Sequence, residues 1–301
     1  MHYWTVWHEG KDFSAYYDVK PRFCSEFSYQ SFSSVETVRS YCPEDQESIE
    51  SAVMMHHQKN DAGNQIISSQ FERQFRYPCS FEGTLYLSQV QQALAIETAV
   101  TYWRSLAPYC MGTLIWQLND VWPVASWSSV EYNGKWKALH YAAKHFYTPV
   151  TPLLYRKDGK IYVYVGNDTL EEKSLTVSAK VMTYSGAVVK ECETVVSVPS
   201  MHSVKAMEFA DEEFDRENCF LVAEAGGETR TLMLSLCKEA QLSEPMIDFE
   251  VEDNDDGSYT IRLTSDKPAF YVMVSSSFLG SFSDNDLTLL PGKEYEIVYT
   301  P

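Results

Sequence analysis

The 301-residue sequence predicts a multidomain α/β plus all-β fold. It comprises the C-terminal part of a (β/α)8 TIM barrel over residues 1–150 and two β-sandwich modules at 151–241 and 242–301. Three observations predict it. The first 150 residues alternate short, nearly continuous apolar strands with helical periodicity, the pattern of parallel strands covered by helices. Polar and aromatic residues gather just after those strands, on the face where barrel enzymes do their chemistry. After Leu153 the pattern changes to alternating, half-buried strands separated by turn residues.

The elements follow in order. Arg22 to Phe27 reads as a short buried strand. Leu87 to Leu106 keeps apolar positions three or four apart (Leu87, Val90, Leu94, Ala95, Thr98, Tyr102, Leu106), which predicts a helix, and Pro108 stops it. Gly112 to Leu118 is a second buried strand, with Asn119, Asp120, Trp122 and Pro123 in the loop behind it. Lys135 to Tyr147 is a further helix, ended by Pro149 and Pro152. Such barrels run to ~250 residues, so 150 residues supply only the last part of one. The opening Met1-His2-Tyr3-Trp4 is dense in aromatics and reads as the interior of a domain, so truncation at the N-terminus is expected. Strands follow at 160–165, 175–181 and 219–224. A polar linker near 238–245 precedes strands at 247–252, 258–264, 269–275 and 294–299, with Asp255-Asp256-Gly257 as a hairpin turn.

Composition narrows the function. The net charge is −18, which disfavours phosphate backbones and anionic lipid, so neither nucleic acid nor membrane is an expected partner. No apolar run reaches the ~20 residues a spanning helix needs. No signal peptide is visible, and the compartment stays open, with a periplasmic or secreted full-length enzyme among the expectations. The seven cysteines are scattered singly and read as mostly reduced, buried thiols. Aromatics make up 14%, a surplus that serves cores or sugar stacking equally well.

Glycosidic cleavage with retention needs two carboxyl groups ~5 Å apart, an ionised nucleophile and a general acid that later acts as base. Glu26 ends a short strand beside Ser25 and four residues after Arg22, a rigid mount of the kind a nucleophile needs. Residue type alone favours a surface glutamate at a strand end. The stretch Pro21-Arg22-Phe23-Cys24-Ser25-Glu26-Phe27 resembles the seventh-strand segment of β-mannosidases of glycoside hydrolase family 2. His2-Tyr3-Trp4, Val6-Trp7-His8, His56-His57-Gln58-Lys59-Asn60 and Trp116-Gln117-Leu118-Asn119-Asp120-Val121-Trp122-Pro123 are similar to further family segments. Ser126-Trp127 and Glu131 to Lys137 continue the match.

The resemblance implies a retaining exo-β-mannosidase with Glu26 as nucleophile, a terminal β-linked mannose as substrate and no cofactor or metal. It implies immunoglobulin-like identity for both β modules, and a homodimer of the full-length enzyme is an open expectation. Trp116 is the expected sugar platform, with a barrel-core tryptophan as the alternative. Trp4, Trp7, His8 and Tyr3 are further substrate-binding candidates, Tyr3 through a hydrogen bond toward the nucleophile. Ser28 stands where the family has Gly, and Ser33 where Pro is common, so a backbone angle awkward for serine is expected after Glu26. The family's acid/base lies in an Asn-Glu pair, and no Asn-Glu occurs in these 301 residues. The chain by itself is therefore expected to be inactive. Other family 2 exo-glycosidases (β-galactosidase, β-glucuronidase) and a non-catalytic carbohydrate-binding protein are the rival readings.

The remaining candidates read as structural. His56 and His57, taken as neighbours in a strand, point opposite ways and form a structural or outer-subsite pair. Asn119 and Asp120 are expected to bond the loop backbone. The acidic run Glu252 to Gly257 lacks the bidentate Glu of a calcium loop and reads as a solvated hairpin.

Overall fold

The chain lays down most of its helices first and its strands last. The computed structural model describes residues 1–301. In chain order the elements are α1 (Thr5–His8), β1 (Cys24–Phe27), α2 (Val35–Arg39), α3 (Ala52–His56), α4 (Gly63–Gln74), α5 (Phe81–Ser105), β2 (Thr113–Ile115) and α6 (Ala138–Phe146). Then come β3 (Val150–Lys157), β4 (Lys160–Asn167), β5 (Lys173–Thr183), β6 (Val188–Val198), β7 (His202–Ala210), β8 (Cys219–Ala225) and β9 (Glu228–Met233). The last set is β10 (Ile247–Asp253), β11 (Tyr259–Ser265), β12 (Ala269–Val272), β13 (Ser281–Phe282), β14 (Leu287–Leu289) and β15 (Tyr295–Thr300). Two units form, one from Met1–Ser28, Ala95–Ile115 and Ala143–Leu242, the other from Tyr29–Leu94, Trp116–Ala142 and Ser243–Pro301.

In the first unit β1 and β2 run parallel, with Cys24 opposite Thr113 and Phe27 opposite Ile115. His2 adds a parallel bridge to Glu26 on the other side of β1. Parallel neighbours cannot be joined by a tight turn, and the connection from Phe27 to Thr113 accordingly runs through α2 to α5. Helix α5 begins at Phe81 rather than Leu87. Ser80 starts it: its Oγ accepts the Gly83 N–H at 3.0 Å and its carbonyl accepts the Thr84 N–H at 3.0 Å. Gly83 and Thr84 are weak helix formers, which hid this first turn from the periodicity.

The remainder of this unit is a two-sheet sandwich, β3-β4-β7 over β6-β5-β8-β9. Inward residues two apart, such as Ile161, Val163 and Val165 on β4 and Val177, Ala179 and Val181 on β5, form its core. The sequence reading finds the central strands β4, β5 and β8 and misses β3, β6, β7 and β9. All four missed strands are sheet edges. Edges β6, β7 and β9 bury few residues and carry charge, so their apolar alternation is weak, whereas β3 is buried nearly continuously and shows no alternation at all.

The second unit ends in sheets β10-β11-β15-β13 and β12-β14. Their core is built from Ile261, Leu263, Leu289 and Ile297, and Tyr141 of α6 packs into it. The acidic turn between β10 and β11 is a hairpin as expected. Asp255 (φ 60°) and Gly257 (φ 89°) turn the chain. Asp253 and Asp256 spend their carboxylates on the N–H groups of Asp255 and Ser258. Strand β12 stops at Val272, where Tyr271 adopts φ 56° and the ladder shifts register. Ser28 does not take the left-handed angle expected of the glycine it replaces, since its φ is not positive. It is buried instead. All seven cysteines are unbridged. No helix is long and apolar enough to cross a membrane.

Candidate active site

Glu26 is mounted by main-chain bonds on both flanks. Its carbonyl accepts the Tyr3 N–H at 2.8 Å, and the Ser25 N–H reaches the Met1 carbonyl at 2.8 Å. On the other flank the Cys24 N–H donates to the Gly112 carbonyl at 3.0 Å. Strand β1 is irregular, with a register shift between Cys24 and Phe27, and it buries those two residues while leaving Ser25 and Glu26 partly exposed. Phe27, one residue on, is fully buried, with its ring centroid 4.9 Å from Trp103 of α5 and 6.3 Å from Tyr16. The Trp103 indole N–H is itself tied to the Tyr16 and Val19 carbonyls at 3.2 Å each. With Phe27 anchored on the helix side, Glu26 is turned to the opposite face.

There the Trp4 Nε1–H donates to Glu26 Oε2 at 3.3 Å and His2 Nδ1 lies 3.2 Å from the same oxygen. The side chain keeps 29% of its surface exposed. Both neighbours engage Oε2, so Oε1 is the oxygen left for chemistry. A carboxylate on a rigid strand, oriented by an indole donor and open to solvent, can act as a nucleophile.

The other candidates in this unit divide. Trp4 is half-buried against the carboxylate, and His8 is exposed with its ring centroid 5.7 Å from Trp4, so both line the approach to Glu26. Trp7 is fully buried. It is a core residue of α1 with no exposed surface, where the sequence reading places it among the substrate-binding candidates. The Tyr3 hydroxyl is likewise directed elsewhere: it donates to the Ala15 carbonyl at 2.9 Å, and its ring packs on Tyr16 and Trp103. Only the Tyr3 main chain serves Glu26. Adjacent residues in an extended segment face opposite sides, and the aromatic core claims this side chain.

In the second unit Trp116 is 44% exposed at the start of the loop after β2. This loop is held by side chains. The Gln117 carboxamide N–H donates to the Asn119 carbonyl at 3.0 Å and to Asp120 Oδ1 at 3.1 Å. Asp120, 3% exposed, accepts the Ser126 and Ser128 hydroxyls both on Oδ2, at 2.6 Å and 2.5 Å. Lys137 is fully buried and feels both Asp120 and Glu131. Burial drives its pKa below the ordinary lysine value, and the two carboxylates oppose that shift only in part. Glu131 accepts the Ser34 N–H at 2.6 Å and the Ser34 hydroxyl at 3.0 Å.

Sequence reasoning missed Glu131 and Lys137 altogether. It placed Asp120 on backbone donors, where the structure shows a side-chain network. The signal was present in Ser126, Ser128 and Ser129, small hydroxyl residues clustered beside two acids and a lysine. His56 and His57 also depart from expectation. They close helix α3 rather than lying in a strand, and their rings meet edge to face with centroids 5.4 Å apart.

Comparison with known proteins bears on both units. Residues 159–232 match a mannosidase Ig/CBM-like domain, and residues 242–301 match the Ig-fold domain of mannosidases. The β-mannosidase of Bos taurus is 36% identical over 179 residues, 55% of this chain and 20% of the bovine protein. β-Mannosidase A of Neosartorya fischeri is 24% identical over an alignment that takes in 92% of this chain and 35% of that protein. Among solved structures, the β-D-mannosidase of Dictyoglomus thermophilum superposes over 100% of this chain and 38% of its own, with TM-score 0.92 and 28% identity. The exo-chitosanase of Amycolatopsis orientalis shares the fold at TM-score 0.74 and 16% identity over 92% of this chain. The chain spans about a fifth of the length of the mammalian relatives it matches. The chain is thus similar in sequence and in fold to the C-terminal region of β-mannosidases.

Proposed function

We propose that this chain supplies the nucleophile of a retaining exo-β-mannosidase acting on the terminal, non-reducing β-D-mannose of an oligosaccharide or glycan. The observation that carries the reading is Glu26 on its paired strand, with Trp4 on Oε2 and Oε1 unengaged. Oε1 attacks the anomeric carbon as the glycosidic C–O bond breaks, and the leaving oxygen takes a proton from a second carboxylic acid. That acid, now a carboxylate, deprotonates a water that displaces Glu26. Two inversions give net retention. In the first unit Trp4 lies against the Glu26 carboxylate, with His8 beside Trp4; in the second unit, the exposed Trp116 indole is a face of the kind that stacks on the axial C–H bonds of a pyranose. Domain boundaries at 150/151 and 241/242 complete the reading, with both β modules bracing the catalytic part.

Expressed as these 301 residues, the chain is expected to leave aryl β-mannosides unhydrolysed, because no Asn-Glu pair supplies the general acid. The test of the nucleophile uses the longest natural chain carrying this sequence. Treated with 2-deoxy-2-fluoro-β-mannosyl fluoride, it should gain one sugar on the peptide containing Glu26. A label on another carboxylate refutes the assignment. Faster turnover of an aryl β-galactoside or β-glucuronide than of the mannoside refutes the substrate.

A further inference from the structure

The second unit carries a partly exposed cluster of rings that the mechanism above leaves unused. It joins Tyr41, His56 and His57 with Trp122 of the loop after β2. Tyr41 and His57 stack with centroids 3.8 Å apart and planes 8° from parallel. The Trp122 ring lies 5.0 Å from His57 and 5.9 Å from His56. A cluster serving only as core would be buried. Here Tyr41, His57 and Trp122 are half-buried and His56 is exposed. Met55 and Val121, beside them in the chain, are 40% and 85% exposed.

The cluster is also pre-set. The His57 carbonyl accepts the Ala125 N–H at 2.8 Å, and the Lys59 N–H donates to the Ala125 carbonyl at 3.0 Å. His57 Nδ1 lies 2.6 Å from the Pro123 carbonyl. A carbonyl only accepts, so Nδ1 holds a proton, and in a neutral imidazole with that tautomer Nε2 is the acceptor. Stacking and this hydrogen bond together fix the imidazole plane. An aromatic face beside a fixed acceptor and a second imidazole suits a pyranose, whose C–H face stacks while its hydroxyl donates.

We propose that Trp122, His56 and His57 form a binding site for a sugar on the leaving-group side of a β-linked oligosaccharide. The proposal rests on the β-mannosidase reading above. Trp122 follows Trp116 by six positions in the same unit, a reach of at most ~21 Å even for extended chain, so an oligosaccharide of a few units spans the two indoles.

The test compares β-mannosyl fluoride, which has no leaving-group sugar, with β-1,4-mannotriose, using the longest natural chain carrying this sequence. Trp122→Ala should lower kcat/KM for mannotriose about tenfold, as loss of one ring stack does. His56→Ala, an exposed change that leaves folding intact, should lower it severalfold. Both should hydrolyse the fluoride within about twofold of wild type. Mannotriose turnover unchanged in both variants, or fluoride and mannotriose falling in parallel in both, overturns the subsite. Wild-type protein that cleaves neither mannoside overturns the β-mannosidase reading beneath it, a result separable from the variants' behaviour.

Discussion

The segment that carries Glu26 is held by main chain, whereas the segment that carries Trp116 is held by side chains. Around Glu26 the bonds run between backbone groups of residues 1–3, 24–27 and 112–115, and one buried ring, Phe27, sets the facing. Around Trp116 the loop is fixed by Gln117, Asp120, Ser126, Ser128, Glu131 and Lys137, most of them buried. A strand places one side chain with little help, because its neighbours fix it from both sides. A loop has no ladder, and polar groups pulled out of water must satisfy one another. The two regions should therefore fail differently when disturbed.

The largest effect is expected at Glu26. If Glu26 is the nucleophile, Glu26→Ala in the longest natural chain carrying this sequence should lower kcat by ~10⁴-fold or more while leaving the thermal midpoint near wild type, because the carboxylate contributes nothing to the strand pairing. Loss of folding in this variant would mean that the side chain, and not the main chain, holds β1.

Lys137 should behave in the opposite way. Lys137→Ala leaves two buried carboxylates without their cation and should destabilise the protein by about 3–5 kcal/mol, read as a lower urea midpoint. Its pH dependence has a definite sign. The folded-state pKa lies below the ordinary 10.5, so between the two values the unfolded chain binds more protons and stability rises with pH. The burial penalty is complete below the folded value and is relieved as pH climbs toward 10.5. The urea midpoint of wild type relative to Lys137→Met should therefore increase across the alkaline range. A flat difference would show that the ammonium is fully compensated in place.

Trp4→Phe removes one N–H from Glu26 Oε2 and keeps the ring, so kcat/KM should fall about tenfold with the fold unchanged. The smallest effect is expected at Asp256, an acid exposed on the β10–β11 hairpin and bonded only to Ser258. Asp256→Ala should leave the denaturation midpoint unmoved, in contrast to Asp120→Ala in the buried network.

The same division explains how much could be read from the chain. Strand β1, strand β2, the body of α5 and the central strands β4, β5 and β8 are legible because their burial follows a local period. The edges β6, β7 and β9 are not, because few of their residues are buried, and β3 is not, because its burial is nearly continuous and leaves no alternation. Glu26 lies on a short strand, as the sequence pattern suggests. Trp7 and Tyr3 bury their rings, which the pattern does not reveal, since an exposed aromatic and one packed into a core look alike until the third dimension is known. The network joining Asp120, Glu131 and Lys137 escaped notice because its members, such as Ser34 and Ser126, are scattered from residue 34 to residue 137 without a period.

Azide rescue of Glu26→Ala tests the central claim most directly. With the nucleophile replaced by a cavity and an activated aryl β-mannoside as donor, azide should restore turnover and yield the α-mannosyl azide, the product of a single inversion at the face Glu26 occupied. Rescue that gives the β-azide would place Glu26 on the acid/base side of the sugar, and unimpaired hydrolysis without azide would remove it from the reaction altogether.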